Sequence, residues 1–317
     1  MSSKLIQTRE SYGKALAELA GKDKNVVALD CDLGRSTKAY NITAVDPGRF
    51  FEMGIAEQDM VSTAAGLACA GKIPFANSFA VFITGRAFDQ IRQQVSLPAL
   101  NVKICGSSAG ITQGADGATH QSVLDVALMR ALPNMTVLSP ADGLQTEKAV
   151  QAAYELNGPV YLRLSRFPVP VFTQACGFTV GKAEALREGR DIAVCATGPV
   201  TWNVLKACEI LDADGFEAAV FDFHTVKPID RDMIRSIAGR FSHVFSVEEH
   251  SIYGGLGSAV AEVLAEIDAG SKQIQRFRRI GISDHFGESG TADELLTRCK
   301  LDPEGIAASI RTTVQEQ

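Results

Sequence analysis

The sequence predicts an α/β protein with two doubly wound domains, each a mainly parallel sheet covered by helices on both faces. Short runs of β-branched and other apolar residues alternate with longer segments of helical periodicity along almost the whole chain. Helical crossovers between parallel strands produce this alternation. The chain has 317 residues, more than one compact domain usually needs, so two domains are expected.

The first domain is expected to span residues 1–170. Its first helix carries Leu16 and Leu19 on one side and stops at Gly21, and Thr84 is expected to be the N-cap of a later helix. The predicted elements, in chain order, are helix Arg9–Ala20, strand Val26–Asp30, an alanine-rich helix after Gly54, strand Ile73–Phe79, a helix from Thr84, strand Val102–Gly106, helix Val123–Leu132, strand Met135–Leu138, helix Leu144–Leu156 and strand Val160–Leu164.

The second domain is expected to span residues 183–317. A linker at residues 167–182 precedes it, because two prolines there exclude a central strand. The alternation then resumes as a smaller doubly wound sheet. The predicted elements are strand Ile192–Ala196, helix Trp202–Leu211, strand Ala218–Phe223, helix Asp230–Ala238, strand Val244–Val247, helix Gly257–Ile267 and strand Gln275–Ile280.

Composition and charge exclude several classes of protein. The apolar fraction of 46% allows a large buried core, which excludes intrinsic disorder. The formal net charge is −6 and no basic run occurs, so neither nucleic acid nor a membrane is an expected partner. Seven widely spaced cysteines without a Cys-x-x-Cys pair, and a start without a signal-peptide core, predict reduced thiols and a cytoplasmic location.

The loops that follow strands are the candidate sites, because ligands of open parallel sheets bind beyond the carboxyl ends of the strands. The loop after the first strand carries Asp32 and Ser36, and its alternative role is a polar cap for the next element. Glu57 stands at the apolar entry to the alanine-rich helix. A buried carboxylate there is costly unless it is paired or protonated, although it also favours the dipole of a helix N-terminus.

Two further segments after strands carry polar residues. The glycine-bearing loop 114–121 delivers Asp116 and His120 just before a helix, where a histidine is also a common cap or core residue. Arg163 and Arg166 end the last strand of the first domain. They can bind an anionic group bidentately or pair with surface acids.

A glycine-rich segment in the second domain, Tyr253–Gly257, precedes a helix and is a candidate anion-binding nest. Its spacing does not fit a dinucleotide fingerprint. His250 lies two residues after Glu248 without a third ligand at suitable spacing, so we expect no metal site formed by this chain alone.

A family resemblance covers almost the whole chain, from Thr8 to Leu295, and rests on an ordered set of nine motifs. The motifs are VVALDCDLGRST, FFEMGIAEQDMVSTAAGLA, NSFAVFITGRAFDQIR, GITQGADGATHQ, ALPNMTVLSPAD, YLRLSR, FHTVKPID, VEEHSIYGGLGSAV and DHFGESG. Together they resemble the C-terminal half of transketolase-type enzymes, and closely the C-terminal subunit of a split transketolase. The resemblance implies a pyrimidine-binding domain with the thiamin diphosphate-binding fold, followed by a transketolase C-terminal domain.

The resemblance implies roles for four residues at the cofactor, thiamine diphosphate. Glu57 matches the glutamate that hydrogen-bonds N1′ of the aminopyrimidine, a role that suits a carboxylic acid in an apolar site. Phe79 and Phe82 match aromatic residues that pack around the aminopyrimidine; ordinary core packing is the alternative. Asp32 matches a position near the cofactor.

The resemblance also implies a substrate site and a reaction. His120 and Asp116 match residues that contact the hydroxyl groups of a ketose donor. Arg9, Ser36 and Arg166 match residues that bind the distal phosphate of sugar substrates. The implied reaction cleaves the C2–C3 bond of the ketose and transfers a two-carbon ketol unit to an aldehyde.

Two positions depart from the transketolase pattern. Ser107-Ser108 stands where split transketolases commonly have Thr-His, so Ser108 puts a hydroxyl in place of a histidine at the phosphate end of the substrate. The sugar is therefore expected to carry a different tail: an unusual phosphate, a branched chain or a sulfonate. Gly-Ala-Asp-Gly replaces Gly-Glu-Asp-Gly, a form also seen in 1-deoxyxylulose-5-phosphate synthase.

The cofactor's diphosphate and cation are bound in this family by a Gly-Asp-Gly…Asn motif on a separate domain, and we find no such motif in this sequence. The resemblance therefore implies an α2β2 assembly. A companion N-terminal subunit would bind the diphosphate with Mg²⁺ (or Ca²⁺), while this chain supplies Glu57 and His120.

Three alternatives stay open. The β subunit of a 2-oxo acid dehydrogenase E1 component shares the two-domain architecture but does not need the Asp-Gly-x-Thr-His-Gln loop. A 1-deoxyxylulose-5-phosphate synthase type is disfavoured because Ser107-Ser108 replaces its Asp-Arg pair and because DHFGESG is transketolase-like. An inactive paralogue is disfavoured by the joint presence of Glu57, His120, Asp116 and Arg166.

Overall fold

A computed structural model describes residues 4–173, 178–268, 270 and 273–315. The strands are β1 (Ile6–Gln7), β2 (Val26–Asp30), β3 (Phe50–Glu52), β4 (Ile73–Phe79), β5 (Lys103–Ser107), β6 (Thr136–Leu138), β7 (Val160–Arg163), β8 (Pro168–Val169), β9 (Glu184–Arg187), β10 (Ile192–Thr197), β11 (Ala218–Asp222), β12 (Thr225–Lys227), β13 (His243–Ser251) and β14 (Arg276–Ile282). The α-helices are α1 (Thr8–Lys22), α2 (Gly34–Thr37), α3 (Glu57–Cys69), α4 (Ala80–Arg86), α5 (Phe88–Gln90), α6 (Asp125–Ala131), α7 (Gly143–Glu155), α8 (Thr201–Ala213), α9 (Arg231–Arg240), α10 (Leu256–Ala265), α11 (Ala292–Arg298) and α12 (Pro303–Gln315). Short 3-10 helices cover Ala39–Ala44, Pro47–Arg49 and Ile111–Asp116, and a π-helical turn covers Ile91–Ser96.

The first sheet has the strand order β12-β6-β7-β5-β4-β2-β3. All its strands except β12 run parallel. Strand β2, with the sequence VVALD, is buried along its whole length, because both faces of a parallel sheet are covered. Helices α3 and α6 pack on one face, and α1 and α7 pack on the other.

The second sheet has the order β14-β13-β10-β11-β9. Its strands run parallel except for β9, which pairs antiparallel with β11 at the edge. Helices α8 and α12 pack on one face, while α9 and α10 pack on the other. The predicted fold class, two doubly wound α/β sheets, is therefore confirmed.

Chain segments from both halves meet beside the first sheet. Strand β12 follows β11 of the second sheet but pairs antiparallel with β6 of the first. Farther along the chain, the amide of Ser251, at the end of β13, donates to the carbonyl oxygen of Val123 at 2.9 Å. The second half of the chain thus contacts the segment that follows the His120 loop.

The predicted N-cap at Thr84 is wrong, and α1 continues past its predicted stop at Gly21 to Lys22. Thr84 is not an N-cap; it lies inside α4, and its Oγ1 donates to the carbonyl oxygen of Ala80 at 2.7 Å. Strand β4 ends at Phe79 and continues directly into α4, so no loop separates the two elements. A threonine that bonds the carbonyl four residues earlier is a regular helix-interior arrangement.

The domain bounds 1–170 and 183–317 stay predictions. Residues 174–177 of the predicted linker, including Cys176, lie outside the described residues. Before them, β8 pairs antiparallel with β1. The six cysteines in the described part of the chain are free thiols. No helix within the same residues is long and apolar enough to cross a bilayer.

Candidate active site

A cleft of about 330 Å³ lies at the carboxyl edge of the first sheet. The loops after β2 and β5 and the helix that follows β4 converge there, as in other open parallel sheets. The residues around the cleft that matter most for its chemistry are Asp32, Glu57, Phe82, Arg86, Thr119 and His120.

Glu57 is the buried carboxylate of the cleft, with 3% of its surface exposed. It begins α3 and shares the first turn with Asp59, where negative charge favours the helix dipole. Its Oε1 accepts hydrogen bonds from Ser78 Oγ at 3.3 Å and from Arg86 Nη1 at 3.1 Å. Glu57 therefore lies at a helix N-terminus, where it favours the helix dipole. It also lines the cleft, as a carboxylate with a functional role would.

Arg86 is a partner of Glu57 that the sequence did not single out. Its Nη1 lies 3.1 and 3.3 Å from the two Glu57 oxygens, and its guanidinium carbon lies 4.3 Å from the centroid of the Phe82 ring. Its side chain is 51% exposed, so it borders the open cleft. The spacing of Phe82 and Arg86, four residues apart on α4, accounts for the contact between these two side chains but does not indicate the contact with Glu57 on α3.

Phe82 and His120 form an aromatic wall on one side of the cleft, and the buried Phe79 packs against Phe82. The rings of Phe79 and Phe82 are stacked at 5.9 Å with an angle of 17° between them. His120 meets Phe82 edge-on, with ring centroids 5.1 Å apart. Thr119 Oγ1 and His120 Nδ1 are 2.9 Å apart, a hydrogen bond that orients the imidazole. The structure thus brings the rings of Phe79, Phe82 and His120 together.

The loop after β2 also lines the cleft. Asp32 is exposed in a left-handed conformation (φ 61°), and its amide donates to Glu52 Oε1 at 2.7 Å. Cys31, directly before it, is a further lining residue. Burial raises the pKa of the Cys31 thiol to about 12. Cys31 is therefore protonated at neutral pH and is not a nucleophile.

Arg9, Ser36 and Arg166, which the resemblance assigns to an anion site, lie close together in the structure. Arg9 Nη1 donates to the carbonyl oxygen of Ser36 at 3.0 Å and to its Oγ at 3.1 Å. Burial and the nearby Arg166 cation lower the pKa of Arg9. Two half-buried arginines that repel each other create a positive potential that an anionic ligand would relieve.

Gln113 connects this cation pair to the loop of Asp116. Arg166 Nη1 donates to Gln113 Oε1 at 2.8 Å, and Gln113 Nε2 donates to Asp116 Oδ2 at 2.6 Å. Arg166 and Asp116 are themselves 3.6 Å apart. Sequence reasoning missed Gln113, although it precedes Asp116 by three residues in the same helical turn.

Ser108 follows the central strand β5 directly and is fully buried, with φ 54°. The described residues offer no hydrogen-bond partner to its Oγ or to that of Ser107. Ser108 is not among the residues that line the open cleft. Its contact with a substrate stays a prediction.

Arg163 lies apart from the cleft and belongs to a buried ion pair. Its Nε donates to Asp125 Oδ2 at 2.7 Å and its Nη2 to Asp125 Oδ1 at 3.3 Å. The sequence offered two roles for Arg163, binding of an anionic ligand or pairing with a surface acid. The structure shows neither, because its partner Asp125 is a fully buried residue of the protein itself.

The glycine-rich segment Tyr253–Gly257 is not a free anion nest. Glu248 accepts hydrogen bonds from the amides of Leu256 and Gly257, both at 2.7 Å, at the start of α10. The protein's own carboxylate thus fills the position that a bound anion would take. Within the described residues, no group of three or more potential metal-ligating side chains occurs.

Family models match nearly the whole chain. The pyrimidine-binding domain of transketolase matches residues 4–170, and the C-terminal domain of transketolase matches residues 181–306. The 6-deoxy-6-sulfo-D-fructose transketolase subunit of Clostridium sp. strain MSTE9 is 40% identical over 98% of this chain and 95% of its own length. A subunit of the apulose-4-phosphate transketolase of Phocaeicola vulgatus is 37% identical over 96% of this chain and 97% of its own length.

A solved structure supports the same relationship. The inactive β4 tetramer of a split-gene transketolase is 45% identical to this chain, with a TM-score of 0.87 over 97% of this chain and 98% of the other. The match therefore includes both sheets. The chain belongs to the transketolase family and corresponds to the C-terminal subunit of its split members.

Proposed function

We propose that this chain transfers a two-carbon ketol unit from a ketose with an anionic tail to an aldose acceptor, as the C-terminal subunit of a thiamine diphosphate-dependent transketolase. The observation that carries the proposal is the buried carboxylate of Glu57 in a cleft whose aromatic wall includes Phe82 and His120. The family membership limits the class of reaction, and the cleft provides the groups for it.

The cleft fits the aminopyrimidine half of thiamine diphosphate. Phe82 offers an apolar ring to the cleft, with the buried Phe79 stacked against it, and Glu57 offers a carboxyl group that can share a proton with a ring nitrogen. When bound, the cofactor supplies a nucleophilic thiazolium carbon and an electron sink. The part of Glu57 is to hold the ring by a hydrogen bond to N1′, and the aromatic wall limits the access of water to it.

His120 and Asp116 are the residues proposed to contact the sugar. His120 is half-buried and oriented by Thr119, so its imidazole can bind a ketose hydroxyl and exchange a proton with it. Asp116 is exposed and accepts from Gln113, which keeps it on the side of the cation pair. Asp32 lines the cleft and is proposed to lie near the cofactor.

The anionic tail is proposed to bind Arg9, Ser36 and Arg166. Sulfonate and phosphate groups share terminal oxygens that a guanidinium can bind bidentately. The two relatives from Clostridium and Phocaeicola carry names with a sulfo-sugar in one case and a sugar phosphate in the other. The buried hydroxyl of Ser108 is proposed to help select between such tails.

A companion N-terminal subunit is proposed to complete the enzyme as an α2β2 assembly. The described residues of this chain offer no cluster of metal ligands, so the diphosphate and its Mg²⁺ or Ca²⁺ are assigned to the companion. The related β4 tetramer is described as inactive, which supports the proposal that a second kind of subunit is needed for activity. We also propose a cytoplasmic location and the domain bounds 1–170 and 183–317.

A reconstitution experiment tests the proposed function. The chain is tagged, purified from its own host with any stoichiometric partner, and assayed with phosphate-tailed and sulfonate-tailed ketoses. The complex is expected to transfer the two-carbon unit, and the isolated chain is expected to be inactive. Comparable activity of the homogeneous isolated chain would contradict the partner requirement. Decarboxylation of pyruvate without ketol transfer would instead favour a 2-oxo acid dehydrogenase.

A further inference from the structure

Glu249 belongs to β13 of the second sheet, but its side chain contacts the first-domain loop at Gly110 and Thr112. It is 3% exposed, and its Oε1 accepts a hydrogen bond from the amide of Thr112 at 2.7 Å. Gly110 has φ +83°, and a Cβ built there would overlap the Glu249 carboxylate. The close approach therefore needs glycine at this position, and it brings the carboxylate directly against the loop backbone.

Thr112 is the second residue of the turn Ile111–Asp116, which presents Gln113 and Asp116 to Arg166. The Thr112 amide, which donates to Glu249, lies at the start of this helical turn. The first amides of a helical turn have no acceptor within the turn itself. A buried carboxylate that accepts such a bond fixes both the position and the direction of the turn.

A second contact from the C-terminal part of the chain holds the other side of the same loop. Gln121 Nε2 donates to the carbonyl oxygen of Gly114 at 3.1 Å and to that of Glu288 at 2.8 Å. Two segments from the second half of the chain thus hold the loop. Glu249 bonds its beginning at Thr112, and Glu288 bonds its end at Gln121.

We propose that Glu249 is a positioning residue, which holds the 111–116 turn so that Gln113 and Asp116 face Arg166 and the bound sugar. The inference rests on the proposed function for the identity of the substrate. It assigns the second domain a part in substrate recognition, through the hydrogen bond between Glu249 of the second sheet and the Thr112 amide.

The first arm of the test measures hydrogen exchange of the Thr112 amide in the full chain. Glu249→Ala is expected to speed this exchange at least about tenfold, because a buried hydrogen bond to a charged group is lost. Glu249→Gln is expected to stay within about threefold of the wild type, because its amide oxygen can accept the same bond. Unchanged exchange in folded Glu249→Ala would overturn the proposal.

Glu248→Ala is the matched control. It removes a buried carboxylate one residue away that bonds the amides of Leu256 and Gly257 in its own domain. A general loss of stability would affect both variants, whereas the positioning role predicts fast Thr112 exchange in Glu249→Ala alone. Equal acceleration in Glu248→Ala would overturn the proposal.

The second arm measures KM and kcat in the complex with the companion subunit. Glu249→Ala is expected to raise KM for an anionic-tailed ketose about tenfold, with a smaller change in kcat, and Glu249→Gln is expected to restore KM. A kcat loss with unchanged KM would overturn the role in substrate recognition. If the wild-type complex transfers no ketol unit, the proposed function fails, while the exchange arm still decides whether Glu249 holds the turn.

Discussion

The buried ion pair between Asp125 and Arg163 gives a stability prediction that can be worked out from the structure. Asp125 accepts hydrogen bonds from Arg163 Nε and Tyr161 Oη, both at 2.7 Å, and from Ser122 Oγ at 3.0 Å. Both partners of the pair are buried. Asp125→Ala leaves the Arg163 charge without its carboxylate in a site from which water is excluded.

Removing one partner of such a pair costs about 3–5 kcal/mol of unfolding free energy. For a domain of this size, that loss lowers the melting temperature by about 6–20 °C. Calorimetry and urea denaturation of the isolated chain measure it. Asp89→Ala, which breaks an exposed pair with Arg92, is the control and is expected to cost at most about 0.5 kcal/mol.

A double replacement separates burial of charge from loss of packing. Asp125→Leu combined with Arg163→Met removes both charges and fills the site with apolar side chains, so it is expected to recover part of the stability lost in Asp125→Ala. If Asp125→Ala costs no more than Asp89→Ala, the reasoning about this ion pair is refuted.

Three further outcomes are expected. Arg166→Ala lowers kcat/KM of the complex about 10–100-fold for an anionic-tailed ketose but not for the same ketose without its tail, because a charge-assisted hydrogen bond is lost; equal losses for both substrates would argue against an anion site. Burial raises the pKa of Asp222 to about 8, so native stability falls as the pH rises from about 4 to 8, and Asp222→Asn flattens this slope in melting curves; an unchanged slope would count against it. Iodoacetamide at pH 8 labels exposed Cys69 before Cys31 in peptide mapping, because burial keeps Cys31 protonated; faster labelling of Cys31 would contradict this.

The central strands could be predicted from sequence because their signal is local. Val26–Asp30 is a short, mainly apolar run after the polar residues 22–25, and Ile73–Phe79 follows Gly71 and Lys72; the structure has both strands with the predicted bounds. Strand β12 could not be predicted, because it pairs with β6, which lies almost ninety residues earlier in the chain. The three residues of β12 are too few to show a strand pattern of their own.

In the candidate site, too, residues in local motifs could be predicted from the sequence, whereas contacts between distant elements could not. Glu57, Phe79, Phe82 and His120 could be selected because each stands in a distinctive motif. The structure places Glu57, Phe82 and His120 around one cleft and packs the buried Phe79 against the rings of Phe82 and His120. The contact of Arg86 with Glu57 depends on how α3 and α4 pack, which periodicity does not report. For the same reason, the sequence could not show that a carboxylate of β13 fills the glycine-rich nest before α10.

The most direct test of the central claim is the activity of Glu57→Gln in the assembled complex. The variant keeps the size of the side chain but removes the carboxyl group that is proposed to share a proton with N1′ of the aminopyrimidine. Ketol transfer is measured with the companion subunit and saturating thiamine diphosphate, with Gln58→Ala as a control that retains Glu57. The account predicts that Glu57→Gln lowers kcat by at least about 100-fold, the usual scale for loss of an acid–base group, while the complex still assembles. Wild-type kcat in Glu57→Gln would contradict the account.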